Sequence, residues 1–354
     1  MPATLTDFQI LRPRFETSQE NSLQWLAKAH SQNSPELYAS LQDKLLRIGL
    51  GPEKIERRGV VIEDCLHERW HEMEVSYCAS HPAGASLEKR MQVYDRVVSE
   101  VFERFYCTAK LPEHLIHVTC TGYHSPSGAQ KVVAKKEAKT AVTHAYHMGC
   151  YAAFPAVRMA LALPEADIVH TELCTLHINP ALHEMAQLVV ESLFADGFIK
   201  YSVKQGGPGL QVLALHEEII PNTEEAMSWG VTERGLKMTL SREVPVLIGR
   251  ALPAFLETLR QKAGLSSLAN ARFAVHPGGP KIIEHVARTL NLSPWQISHS
   301  LEILKNYGNM SSATLPHVWE ALWRDRDVAS GTFIISLAFG PGLTLCGGIF
   351  QCGR

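Results

Sequence analysis

The sequence predicts a layered α/β fold made of two similarly organised halves, residues 1–215 and 216–354. Three observations carry this. Short β-prone apolar runs alternate with amphipathic helical segments along the chain. Twice, a strand-like run leads into a loop with a chemically active side chain and then into a helix. This happens around "HAYHMGCYAAFPAVRMALAL" (144–163) and again in "ARFAVHPGGPKIIEHVARTL" (271–290). No linker or low-complexity stretch cuts the chain, so the repeated order reads as structural duplication within one body, although the halves share no visible sequence identity.

Residues 16–50 are polar and helix-prone, and "SPELYASLQDKLLRIGL" carries apolar positions at helical spacing. A less regular region runs to about residue 85. In "SLEKRMQVYDRVVSEVFERFY" (86–106), Met91, Tyr94, Val98, Val101, Phe102 and Phe105 recur at three- and four-residue steps, which predicts an amphipathic helix. "HLIHVTCTGY" (114–123) reads as a buried strand feeding a loop at Gly122, and "ADIVHTELCTLHI" (166–178) as a second buried strand. "HEMAQLVVESLFADG" (183–197) predicts a helix closed by its glycine. Neighbouring strands follow over 198–220, then strand and helix over 234–264. "TFIISLAFGPGLTLCGGIF" (332–350) is two apolar runs split by a tight-turn signal.

With 354 residues the chain is long enough for a large core. A composition of 45% hydrophobic and 20% charged residues, with net charge −2, gives no reason to expect nucleic acid or an anionic membrane as partner. Apolar stretches stop well short of the roughly 18 residues a membrane span needs. "MPATLTDFQILRPRF" lacks a secretory pattern. Cys65, Cys78, Cys107, Cys120, Cys150, Cys174, Cys346 and Cys352 are scattered without CxxC pairs, as expected of reduced thiols in a cytoplasmic protein.

Cys150 follows a glycine at the head of a helix of small apolar side chains. A buried cysteine is ordinarily inert packing, whereas unpaired N–H groups at a helix start favour a thiolate nucleophile. "HERWH" fits H-E-x-x-H through His67, Glu68 and His71, but no third ligand is marked nearby and 17 histidines make chance matches easy, so no metal is expected. His276, in "FAVHPGGP", and Asn309, in "NYGNMSSA", each follow an ordered run and sit at a turn, where capping histidines and turn asparagines are common. Together with Cys150 they make a nucleophile, a proton-managing imidazole and an amide donor. Papain-like proteases use this trio in this order, and His276 lies 126 residues after Cys150, but their C-G-S-C-W context is missing.

"GCYAAFPAVRMA", "VHPGGPKII", "YGNMSSATL" and "AFGPGLT" together resemble the chalcone-synthase-like type III polyketide synthases, from about residue 40 to the C-terminus. The 33-residue step from His276 to Asn309 fits that family. The resemblance implies a thiolase-type αβαβα fold, a homodimer, and Cys150, His276 and Asn309 as catalytic triad. It also implies coenzyme A thioesters (acyl-CoA and malonyl-CoA, or their carrier-protein equivalents) as substrates, with no cofactor. Phe194 matches a gating phenylalanine, Met238 stands where plant members carry a second one, and Ser311 aligns with a cavity serine. Cys174 and His177 replace a pair of threonines and Trp229 a glycine of the cavity, which points away from flavonoid chemistry toward aliphatic starters and an alkylpyrone- or resorcinol-type product. Lys44 and Arg47, about one helical turn apart, and Lys281 are the implied coenzyme A contacts. Two alternatives stay open: a ketosynthase joining two β-ketoacyl chains into an α-pyrone, and a catalytically inactive scaffold.

Overall fold

The computed structural model describes residues 2–48 and 50–354. The chain opens with β1 (Ala3–Leu11), β2 (Phe15–Ser18), α1 (Gln19–Ser31), α2 (Tyr38–Arg47) and β3 (Arg57–Val60). After an irregular stretch come α3 (Leu87–Phe105), β4 (His114–Thr119), α4 (Gly128–Lys135), β5 (Ala141–Tyr146), α5 (Ala153–Ala160) and β6 (Glu165–Leu173). Next are α6 (Met185–Leu193), β7 (Asp196–Gln205), β8 (Gly209–Ile219) and a hairpin of β9 (Met227–Thr232) and β10 (Gly235–Leu240). The remainder is α7 (Val244–Lys262), β11 (Arg272–Val275), α8 (Pro280–Thr289), α9 (Pro294–Tyr307), α10 (Thr314–Arg324), β12 (Phe333–Gly340) and β13 (Thr344–Gly353).

Nine strands are hydrogen-bonded in the order β11-β12-β13-β8-β1-β7-β6-β4-β5. β1 pairs along its length with β7 but with β8 at Thr4 and Leu5, so the run divides there into two sheets. Strand alternation then builds the layers. On β12, Ile334 and Ala338 face a central core with α5 and α10, while Ile335 and Leu337 face α7, α8 and α9 outside. On the other sheet, Ile116 and Ile168 face the same central helices, while Leu115 and Val169 meet α1, α3 and α4. The result is the five-layer αβαβα order that the resemblance implies. The division expected at residue 215 falls inside β8, a strand of the second sheet; the first sheet ends with Gln205 on β7.

α3 forms where its periodicity predicts, with Ser86 capping the Lys89 N–H at 3.3 Å. Two expected elements end early, for identifiable reasons. β6 stops at Leu173 and not at 178, because Asp196 takes the Thr175 N–H at 2.9 Å and its hydroxyl at 2.6 Å and bends the chain into a 3₁₀ turn. α6 stops at Leu193, short of Gly197, because residues 193–195 leave the helix to pair with Asn309: the Asn309 N–H donates to Leu193 O at 3.0 Å, and the Ala195 N–H to Asn309 O at 2.8 Å. The H-E-x-x-H segment lies across two short 3₁₀ turns, so His67 and His71 do not share a helical face.

Trp319 of α10 is fully buried in the central layer. Its ring meets Phe154 of α5, Tyr201 of β7 and Phe350 of β13, and its indole N–H donates to Ser336 at 2.7 Å. Truncation there empties the layer shared by both sheets. Trp319→Ala is expected to destabilise the protein by about 3–5 kcal/mol, measured by equilibrium denaturation.

Candidate active site

β5, β4 and β6 are parallel neighbours, and each is followed at its C-terminal end by a cysteine: Cys150, Cys120 and Cys174. Cys120 and Cys174 adjoin their strands directly. Cys150 lies three residues beyond the His147 turn, in the bend that starts α5. The preceding Gly149 has φ +80°, and a Cβ there would sit 2.7 Å from Pro341 Cδ. A glycine is therefore required at that contact, which joins the "HMGC" loop to the "GPG" turn of the other half. Ala152, Ala153 and Ala156 are fully buried, so the small side chains let α5 pack tightly between the sheets.

His276 continues from β11, its N–H donating to Leu337 O at 2.7 Å. The imidazole is buried, yet neither Nδ1 nor Nε2 has a protein partner. Gly278 lies against this ring; a Cβ there would be 3.4 Å from His276 Cδ2. The Gly278 carbonyl accepts from Asn309 Nδ2 at 3.3 Å. Asn309 is oriented from behind: its Oδ1 accepts the Ser311 N–H at 2.9 Å and the Thr314 hydroxyl at 3.3 Å, which turns the NH2 group toward the site. The Ser311 hydroxyl and the Asn309 side chain both stand beside the Cys150 thiol. The structure thus brings Cys150, Asn309 and Ser311 together from both halves, and His276 joins Asn309 through Gly278.

The electrostatics correct one expectation. The helix start favours a thiolate at Cys150 in the sequence reading. Instead burial, and then the charge of Glu172, push the thiol up to about 12, while Ser311 and Asn309 pull the other way. Burial pushes His276 down to about 3. Burial therefore opposes the charged form of both the thiol and the imidazole.

Glu172 escaped the sequence reading. Its signal is an ionisable residue inside the apolar run "ADIVHTELC". It is fully buried, and burial raises its pKa. Four donors oppose that: the Cys120 N–H at 3.0 Å, the Thr121 hydroxyl at 2.8 Å, the Ser312 N–H at 3.3 Å and the Ser312 hydroxyl. Because Ser312 donates to Glu172, it accepts from His170 Nδ1 at 3.0 Å, which fixes that tautomer.

Cys174, His177, Phe194 and Trp229 line one cavity of about 20 Å³, little more than room for a water. Met238 pairs with Trp229 across the β9–β10 hairpin, which is tied down on three sides. The Trp229 indole donates to Cys120 O at 2.6 Å, His147 Nε2 donates to Trp229 O at 2.8 Å, and the Leu236 N–H donates to His177 Nδ1 at 3.1 Å. His177 Nε2 then donates to Thr121 O at 2.7 Å. A larger groove of about 870 Å³, bordered by Lys200 and Lys204, lies at the opposite ends of these strands, away from Cys150.

Lys44 and Arg47 occupy the last turn of α2. Arg47 is engaged with Asp43 at 3.0 Å, while Lys44 forms no ion pair among the described residues. Lys281 is exposed in the first turn of α8. The chain after α2 packs Leu50 and Ile55 with Leu193 and Ile283, and Lys54 reaches Glu284 on α8 at 2.9 Å, so both basic segments flank the same side of the core.

A two-sheet αβαβα body with a cysteine in the turn leading into its central helix, and a histidine and an asparagine from the other half, has the architecture of thiolase-type enzymes. Residues 211–352 match the family of chalcone and stilbene synthases, C-terminal domain. The chain is 31% identical over 254 residues to the probable polyketide synthase 1 of Dictyostelium discoideum, covering 66% of this chain and 8% of that protein. It is 29% identical over 252 residues to type III polyketide synthase 21 of rice (Oryza sativa subsp. japonica), covering 66% and 64%. In both relatives the match spans less than two thirds of their own length. The fold superposes on the PKS-I crystal structure from the brown alga Ectocarpus siliculosus with TM-score 0.87 at 22% identity, over 99% of this chain and 98% of that one. Over residues 211–352 the chain is thus similar to the chalcone and stilbene synthases, and its relatives include type III polyketide synthases.

Removing the Glu172 charge removes a cause of the raised Cys150 pKa. Glu172→Gln is expected to move the pH profile of Cys150 alkylation by iodoacetamide to lower pH, with a rate about threefold or more higher at pH 8, read by peptide mass spectrometry.

Proposed function

We propose that this protein is a polyketide synthase that condenses acyl and malonyl thioesters through an acyl-Cys150 intermediate. The observation that carries this is His276, buried with both ring nitrogens unpartnered, beside an Asn309 amide whose donor face is fixed. As a neutral imidazole, His276 is free to take the Cys150 proton when a thioester carbonyl comes within reach. The thiolate attacks that carbonyl, and the coenzyme A thiolate leaves and is protonated. A malonyl thioester then loses CO2, placing its electron pair on the thioester enolate. The His276 N–H and the Asn309 NH2 donate to the enolate oxygen as an oxyanion hole does. The enolate carbon attacks the acyl carbonyl, the C–S bond breaks, and the Cys150 thiolate returns. No resident cofactor enters this sequence.

The cavity supports a compact aliphatic product, an alkylpyrone or a resorcinol, over a polyaromatic one. Trp229 and His177 border a void of only about 20 Å³ beside Cys174 and Phe194, which supports little room for a bulky starter there. Lys44, Arg47 and Lys281 are proposed to meet the coenzyme phosphates, Phe194 and Met238 to border the acyl path. β5 is the exposed edge of the first sheet and Tyr123 is exposed beside it, which supports a homodimer formed edge to edge at β5.

Incubation with malonyl-CoA and a panel of aliphatic acyl-CoAs is expected to yield acylated Cys150 and a condensed product by mass spectrometry. Cys150→Ala is expected to abolish both, and His276→Ala or Asn309→Ala to slow decarboxylation by about 10²–10³. Unchanged product formation by Cys150→Ala overturns the reading. Consumption of β-ketoacyl thioesters with no use of malonyl-CoA replaces it with the two-chain ketosynthase. Trp229→Gly is expected to shift the product mixture toward longer or bulkier starters, read by comparing kcat/KM across the same panel.

A further inference from the structure

We infer that Arg58 is a positioning residue for the Asn309 amide, acting through the carbonyl-rich end of α6. The proposal rests on the condensing activity proposed above and adds a residue to it. Arg58 sits on β3, far from the site in sequence, and is 5% exposed. One of its terminal nitrogens, Nη1, donates to Glu191 O and to Phe194 O, each at 2.7 Å. These carbonyls bracket the last turn of α6, where helical carbonyls lack partners and a cation is favoured. Arg58 is thus the counterpart of a C-terminal cap, contributed by another element.

The capped segment is the one that holds Asn309. Residues 193–195 receive and return the backbone hydrogen bonds of Asn309, at 3.0 and 2.8 Å. Gly308, with φ +72°, brings the backbone so close that a Cβ would lie 3.1 Å from Arg58 Cγ and 3.2 Å from Leu193 O. The Arg58 stem therefore packs directly against the residue before Asn309, while its guanidinium fixes the strand on which Asn309 rests. Burial costs are opposed by Asp196 and Glu191 nearby, and the guanidinium remains charged although burial brings it down to about 10. Phe194, on the same clamp, borders the cavity, so one side chain sets both the amide donor and the cavity wall.

The proposal separates two reactions of the same site. Cys150 alkylation needs the thiol alone, whereas malonyl-CoA decarboxylation needs the Asn309 amide in place. Arg58→Met is expected to lower decarboxylation by about tenfold or more, with iodoacetamide alkylation of Cys150 within about twofold of wild type. Arg58→Lys, which keeps the charge and reaches one carbonyl, is expected to fall between, and it carries the comparison if the methionine variant does not fold. In an Asn309→Ala background, Arg58→Lys or Arg58→Met is expected to add no further loss. Equal losses in both reactions, undiminished decarboxylation, or full additivity with Asn309→Ala overturns the proposal. If wild type releases no CO2 from malonyl-CoA, the condensing function itself falls, and crystal structures decide on Arg58. Asn309 Nδ2 displaced from Gly278 O in the variant supports positioning; an unmoved amide overturns it.

Discussion

The site depends on holding the His276 imidazole buried with neither ring nitrogen tied to a protein group. A buried polar atom is ordinarily hydrogen-bonded within the protein, and neither ring nitrogen of His276 has a protein partner. Stability alone gives no reason to leave them so. A substrate oxygen that arrives with charge developing on it does, because a donor already desolvated and already aimed needs no reorganisation. The arrangement trades stability of the free protein for stabilisation of a charge that exists only during reaction.

The surroundings are consistent with that trade. The central helices α5 and α10 are packed in the core between the two sheets, α5 through Ala153, Ala156 and Ala160 and α10 through Leu315, Val318, Trp319 and Leu322. Gly149 against Pro341 sets the entry to the Cys150 turn from one half. Gly278 and Gly308 set the approach of His276 and Asn309 from the other. Gly149 and Gly308 leave no room for a side chain at two of these contacts, and Gly278 lies against the His276 ring. Glu172, in turn, adds to burial in raising the Cys150 pKa.

Much of this was legible in the sequence, and the legible part follows from local rules. α3 is set by its own periodicity and its Ser86 cap, and β11 and β12 by their short apolar runs. The triad residues stood out because the motifs around them pin glycines and turns next to reactive groups. Where the sequence misled, a distant partner had intervened. The helix expected over 183–197 loses its last turn to Asn309 and Arg58, more than a hundred residues away on either side. The strand expected to 178 is bent by Asp196. The ionisation of Cys150 was misjudged because helix position is visible in a sequence and burial beside Glu172 is not. Arg58 itself reads as one more basic residue in "IERRGVV".

The central claim is that His276 and Asn309 together receive the thioester oxygen. A crystal structure of the protein with a non-decarboxylating malonyl-thioester analogue tests it most directly. The account expects that oxygen at hydrogen-bond distance, about 3 Å, from both His276 Nε2 and Asn309 Nδ2, with the α-carbon facing Cys150 Sγ. An analogue bound with its thioester oxygen turned away from both side chains would contradict it.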